Sequence, residues 1–172
     1  MKSIADFRRI FEAHFTPLVK YSFGITQDKE QSKDIVQSFF IQIWKQYSPE
    51  QFHSFEAFAF SSVRNKSLTW LRDQKKFVGD LPEMPAPFQG PIEHDQEYPK
   101  YLLESAILSL PDKCKEVFVL SKLDGLTYPE IAVVLDLSVK TVERQISIGL
   151  SKLREALEPH RELFMDTLNE RS

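Results

Sequence analysis

Residues 126–153 read LTYPEIAVVLDLSVKTVERQISIGLSKL, two amphipathic helical segments separated by a three-residue turn. Thr127 is placed to N-cap the first segment, with Glu130 three residues on to complete a capping box and Pro129 tolerated in the first turn. Ile131, Ala132 and Leu135 share one face, and the small Ala132 lets a second helix cross closely. Asp136-Leu137-Ser138 makes the turn, with Leu137 expected inward and Ser138 as the next N-cap. Asp136 stands where such turns often carry Gly, and Asp tolerates left-handed geometry better than most residues. The second helix begins at Val139 and is expected to bury Val142, Ile146, Leu150 and Leu153. Its outward set near the N-terminus is Lys140, Thr141, Glu143, Arg144, Gln145 and Ser147. This is the pattern of a helix-turn-helix, and in that motif those positions meet base edges in the major groove. Most tight helix pairs in helical proteins bind no DNA. Here the outward set is rich in side chains that address bases and phosphates, and the turn is too short for an ordinary antiparallel hairpin.

Upstream, residues 1–76 read as helical throughout. Ser3 and Asp6 mark a start, with Ile4, Phe7, Ile10 and Phe11 as an apolar stripe; Thr16-Pro17 is expected to restart a helix that Gly24 ends. Asp28 and Gln31 form a second capping box, opening a helix with Ile35, Val36, Phe39, Phe40, Ile43, Trp44 and Tyr47 on one broad buried face. Asp34, Gln37, Ser38, Ile41, Gln42 and Lys45 lie on or beside the other face, where Ile41 is an apolar residue in polar company and points to a protein interface. Ser48-Pro49 stops this helix, and a loop with Phe52 and His53 leads to Ser54, the cap of a long helix. The C-terminal half of that helix carries Arg64, Lys66, Arg72, Lys75 and Lys76 against Asp73, interleaved with Asn65 and Trp70. A helix dipole explains part of this basic run. Cations interleaved with an aromatic also suit a strand of nucleic acid.

Residues 77–99 break every periodicity, with five of the ten prolines, two of the five glycines and five acids. They are expected to be a flexible acidic Pro-rich linker, reaching roughly 75 Å if fully extended. From 100 onward a second helical unit begins with Leu103, Ala106, Ile107 and Leu110. A further helix follows with Cys114, Val117, Phe118 and Ser121 inward, and then the helix-turn-helix. A short amphipathic tail with Leu163, Phe164 and Leu168 closes the chain. The expected architecture is all-α: two small helical domains, 1–76 and 100–172, joined by the linker 77–99.

Composition narrows the function. The single cysteine, Cys114, excludes an internal disulfide and a multi-cysteine zinc site. The four histidines have no metal-ligand spacing, so no metal or cofactor is expected. No apolar run approaches a membrane span and no signal-peptide core precedes Asp6, Arg8 and Arg9, so an intracellular, cytoplasmic protein with no membrane insertion is expected. The net charge is −3. It divides into 12 Lys/Arg against 8 Asp/Glu in 1–76, none against 5 in 77–99, and 10 against 12 in 100–172. A chain relying on phosphate neutralisation alone would be far more basic. Something else must supply much of the attraction if it works on DNA.

The order of these parts resembles the sigma-70 family of bacterial RNA polymerase sigma factors. DKEQSKDIVQSFFIQIW (28–44) and FSSVRNKSLTWLRDQKK (60–76) look like region 2, and LPDKCKEVFVLSKLDGLTYPEIAVVLDLSVKTVERQISIGLSKLREAL (110–157) looks like region 4. With only these two regions and a linker, the chain resembles the extracytoplasmic-function group. The resemblance implies that Asp34, Gln37, Ser38 and Ile41 dock on the β′ subunit of core polymerase, Ser38 standing where the family usually has an acid. It implies that the loop from Tyr47 to Ser54, with Phe52 and His53, holds a flipped base of the −10 element. Arg64, Asn65, Lys66, Trp70 and Arg72 would grip the promoter where the strands part. Ser138, Lys140, Thr141, Arg144 and Gln145 would serve the −35 element. Core polymerase (β′ and β), promoter DNA and an anti-sigma factor are the implied partners. The polymerase would then supply the catalytic metal and the missing positive charge, and this chain would not be an enzyme. Two rivals remain at this point. One is an autonomous two-domain helix-turn-helix regulator, which would bind a palindromic duplex alone. The other is a nuclease, which would need clustered carboxylates or a His/Cys set, whereas the acids concentrate in the linker.

Overall fold

Residues 3–46, 52–78 and 98–162 are described by a computed structural model of the chain. Most of the expected linker, residues 47–51 of the expected base-holding loop, and Leu163, Phe164 and Leu168 of the tail lie outside them. Among the described residues every regular element is helical. The elements are α1 (Ile4–Thr26), α2 (Lys29–Gln46), α3 (Phe55–Val78), α4 (Tyr98–Leu108), α5 (Asp112–Phe118), α6 (Tyr128–Leu135) and α7 (Val139–Leu157). A π-helical turn, Val119–Leu123, follows α5, and a 3-10 turn, Glu158–His160, follows α7.

The first helix corrects the expectation of a restart at Pro17 and a stop at Gly24. It runs unbroken through Pro17, and Gly24 lies buried inside it. An interior proline costs a helix about 3 kcal/mol. Here Leu18, Tyr21, Ser22 and Ile25 go into the core on the turns that follow, which outweighs it. The helix ends at Gln27, which takes a left-handed conformation (φ 55) and donates its side-chain amide to the carbonyls of Phe23 (3.0 Å) and Gly24 (3.3 Å). Asp28 then caps α2, its Oδ1 accepting from the Gln31 amide at 2.9 Å.

Helices α1, α2 and α3 pack on one another around Val36, Phe39, Phe40, Ile43, Ala59 and Val63. Two buried hydroxyl pairs fix their register: Ser22 with Ser67 at 2.7 Å, and Thr26 with Ser32 at 2.8 Å. A buried hydroxyl without a partner costs about 1–3 kcal/mol, so each pair disfavours sliding as well as separation. The second group is α4 to α7, centred on Val117, Phe118, Leu120, Ile131, Val142 and Ile146. The two groups touch: α3 packs along α6.

Three inward expectations fail in a consistent way. Trp44 is 50% exposed, because the apolar arc of α2 is wider than α1 and α3 can cover. Leu137 lies half-exposed in the turn. Leu150 is 41% exposed, and Gly149 takes the buried position beside it. A side chain at 149 would overlap the ring of Phe118, so only glycine allows α7 to approach α5 this closely.

Candidate nucleic-acid and partner interfaces

The helix-turn-helix forms as its caps require. Thr127 Oγ1 accepts from the Glu130 amide at 3.4 Å, and Glu130 Oε2 accepts from the Thr127 amide at 2.8 Å, a complete capping box. Asp136 turns the chain in the left-handed region (φ 53). Ser138 Oγ accepts from the Thr141 amide at 3.0 Å, and its hydroxyl pairs with that of Thr141 at 2.8 Å. Ser138 and Thr141 are therefore occupied in starting α7, and the open cationic donors of its first two turns are Lys140 and Arg144, both exposed. Gln145 is turned partly inward, its Oε1 accepting from Cys114 Sγ at 3.0 Å. The five residues expected at the −35 element thus divide into two exposed cations, two cap hydroxyls and one amide tied to the helix behind.

On α3, Asn65 and Arg72 are exposed, while Lys66 reaches Gln42 of α2 at 3.3 Å. Trp70 is half-buried against the core. Phe52 stacks on Phe58 with centroids 4.3 Å apart, and His53 is exposed. Arg64 differs from the rest. Its Nε donates to Glu116 Oε1 of α5 at 2.9 Å, and the same oxygen accepts from the Tyr21 hydroxyl at 2.7 Å. Burial disfavours the guanidinium charge, but the hydrogen bond and charge of Glu116 outweigh it and raise its pKa. Burial, then the Glu116 carboxylate, push the Tyr21 phenol well above its usual range, so it stays a donor. A second bridge joins the same two halves, Ser54 Oγ donating to Glu130 Oε1 at 2.7 Å. Burial opposes the Glu130 charge, yet hydrogen bonds from Ser54 and Thr127 hold its carboxyl below the ordinary range.

On α2, Asp34, Gln37, Ser38 and Ile41 are all exposed. Gln37 and Ile41 line an apolar groove of about 510 Å³ together with Ile4, Phe7, Phe11, Phe40 and Trp44. Phe7 holds Trp44 edge-on at 4.9 Å and Phe11 holds Phe40 at 4.9 Å, so the walls are fixed by aromatic packing. Sequence reasoning found Ile41 but not this groove. The available signal was the excess width of the α2 apolar arc, which leaves Trp44 only half covered. Nothing in the sequence marked Glu116 as the partner of Arg64.

Residues 10–77 match Sigma-70 region 2, and residues 100–153 match Sigma-70, region 4. The chain belongs to the sigma-70 family. Within it, this sigma-70 chain is similar to the ECF RNA polymerase sigma factor SigE of Mycolicibacterium smegmatis, 27% identical over 154 residues, which are 86% of this chain and 60% of SigE. It is also similar to the ferric citrate uptake sigma factor FecI of Escherichia coli, 40% identical over 68 residues, 39% of this chain and 38% of FecI. The matched stretches therefore span less than two thirds of the length of these relatives. Its fold is that of the sigma factor RpoE from Bartonella quintana, solved with the anti-sigma factor NepR (20% identity, TM-score 0.66, 90% of this chain and 98% of that one). CnrH, solved with the cytosolic domain of CnrY, shares it too (24% identity, TM-score 0.57, 92% and 91%). No described helix of the sigma-70 chain is long and apolar enough to cross a membrane.

Proposed function

We propose that the chain is a sigma factor that binds core RNA polymerase and directs it to promoters of a particular regulon. The observation that carries this reading is the pairing, in one chain and in family order, of an exposed cationic recognition helix on α7 with a basic, aromatic α3. In this reading α7 enters the major groove at the −35 element with Lys140 and Arg144 foremost. The exposed Asn65 and Arg72, with Lys66 and Trp70 beside them, meet the −10 region, where unstacking a base costs a few kcal/mol, roughly, and is offset by stacking and pocket contacts. The relatives' names as sigma factors support it, as do the solved complexes of RpoE with NepR and CnrH with CnrY for an anti-sigma partner. Chemistry belongs to the polymerase in this scheme, and the chain catalyses nothing.

The test separates the two DNA contacts. Arg144→Ala should weaken binding of holoenzyme to −35 duplex by about 1–3 kcal/mol, or about 5- to 150-fold. Trp70→Ala should leave that binding near wild type and slow strand opening, read by permanganate reactivity of the melted region. Equal effects of both variants on both steps would contradict this division.

Docking on core polymerase is assigned to the α1–α2 groove and the exposed face beside it. A buried apolar anchor typically carries 2 kcal/mol or more at an interface, roughly, whereas rim polar contacts carry little. Ile41→Glu should therefore weaken assembly with core at least about tenfold in a competition assay, and Ser38→Ala should change it little. The reverse order of effects would place the contact elsewhere.

A further inference from the structure

The junction between the two halves contains a group that its surroundings do not satisfy. Asp124 ends the π-helical turn after α5, and one oxygen of its carboxyl is buried with no hydrogen-bond partner among the described residues. It lines a cavity of about 430 Å³ at the junction, together with His14 and Pro17 of α1, Glu56 and Phe60 of α3 and Glu130 of α6. We propose that the packing of the two halves is gated by a proton on Asp124: the neutral carboxyl is tolerated at the junction, and the carboxylate favours their separation.

A carboxylate oxygen buried without a donor loses its hydration, so burial of Asp124 Oδ2 favours the neutral form. The charged groups around it do not restore the balance. Lys20 of α1 lowers the pKa of Asp124, but by less than burial raises it. Tyr21 is engaged with Glu116. Arg64 of α3 is committed to the same Glu116 of α5 at 2.9 Å. Across the cavity stand the carboxylates of Glu56 and Glu130, with His14 paired to Glu56 at 3.8 Å and so turned to an acid other than Asp124. The result is a carboxyl pushed up from 3.8 to about 7. Half of the cavity wall comes from α1 and α3, so separating the halves exposes Asp124 to water and returns it to its ordinary range.

The sign follows from linkage. The closed form binds the proton more tightly, so its advantage is full below the open-form pKa and falls by about tenfold per pH unit up to about 7. It is then constant at its lowest value above that. Closing thus weakens as pH rises through the neutral range, which also frees Arg64 from Glu116. Only that last consequence bears on the promoter reading; the gate itself concerns the chain alone.

Two dyes report it in the full-length chain: Glu30→Cys on α2 and Glu155→Cys on α7, in a Cys114→Ser background that keeps a donor for Gln145. Single-molecule energy transfer then counts closed and open molecules without polymerase or DNA. From pH 6 to pH 8.5 the closed-to-open ratio should fall about tenfold. The Asp124→Asn protein should show no such fall, and His14→Gln should retain it. An unchanged ratio in the parent chain, or a fall that survives Asp124→Asn, overturns the proposal. Should the Asn variant fail to fold, carbon-13 carboxyl titration of the unaltered chain decides the matter. A midpoint near 7 at Asp124 supports the gate, and an ordinary aspartate midpoint there refutes it.

Discussion

Gly149→Val should strongly destabilise the C-terminal half. Gly149 lies buried on α7 with no room for a Cβ beside the ring of Phe118, which is itself only 2% exposed. The ring is buried in the same core cluster as Val117, Leu120 and Val142, which leaves it little room to move aside. Overpacking a filled core costs about 1–3 kcal/mol, occasionally more, through displaced side chains and backbone. Valine adds a β-branched penalty within a helix. The expected result is a C-terminal half that melts earlier in thermal denaturation followed by far-ultraviolet circular dichroism. Binding to −35 duplex should fall with it, since α7 is both the wall against α5 and, in the proposed function, the reading helix. Gly149→Ala should show the same direction with a smaller drop. A Gly149→Ala protein more stable than the parent would mean that helix propensity, worth about 1 kcal/mol for this exchange, wins over the clash. The packing described for α7 would then be wrong.

Glu116→Ala is the second large effect, and it acts between the halves. One carboxylate oxygen accepts from Arg64 at 2.9 Å and from Tyr21 at 2.7 Å. Side-chain exposure is 23% for Arg64 and 17% for Glu116, so the pair lies between a surface bridge worth about 0–1 kcal/mol and a buried one whose breaking costs about 3–5 kcal/mol. Hydrogen bonds to charged groups are worth about 1.5–3 kcal/mol, and that is the expected loss in unfolding free energy. The loss should be shared with Arg64. In a double-mutant cycle with Arg64→Ala, the coupling should be about 1 kcal/mol or more, since residues in one network do not add. Additive effects would show that the contact contributes nothing to holding the halves together. Because Arg64 is expected to touch promoter DNA, the same variant should leave the guanidinium free to do so.

The helix-turn-helix was legible in sequence because every signal there is local. Thr127, Glu130 and Ser138 each act on a backbone group three residues away, and Asp136 on its own backbone, so spacing alone specifies them. The helical class was legible for the same reason. Pro17 misled because the burial that carries α1 through it comes from α2 and α3, which no local pattern reveals. Leu150 and Gly149 exchanged roles because helical periodicity says which face is inward but not how close the neighbour comes. Arg64 was read as a promoter contact from its place in a basic run. Its partner Glu116 is 52 residues away, and in sequence nothing distinguishes it from any other acid on a helix. The groove at Trp44 was half-legible: Ile41 stood out in polar company, whereas Ile4, Phe7 and Phe11 looked like an ordinary core stripe. Contacts between residues distant in sequence, such as Arg64 with Glu116, are the ones that no local pattern reveals.

The central claim, that this chain directs core polymerase to promoters, is tested most directly by run-off transcription. Bacterial core enzyme is supplied with genomic promoter fragments, with and without the chain. Start sites that appear only when the chain is added, and that share upstream sequences at −10 and −35, are the predicted result. No stimulation of core, together with tight binding of the chain alone to palindromic duplex, would contradict it and favour an autonomous regulator.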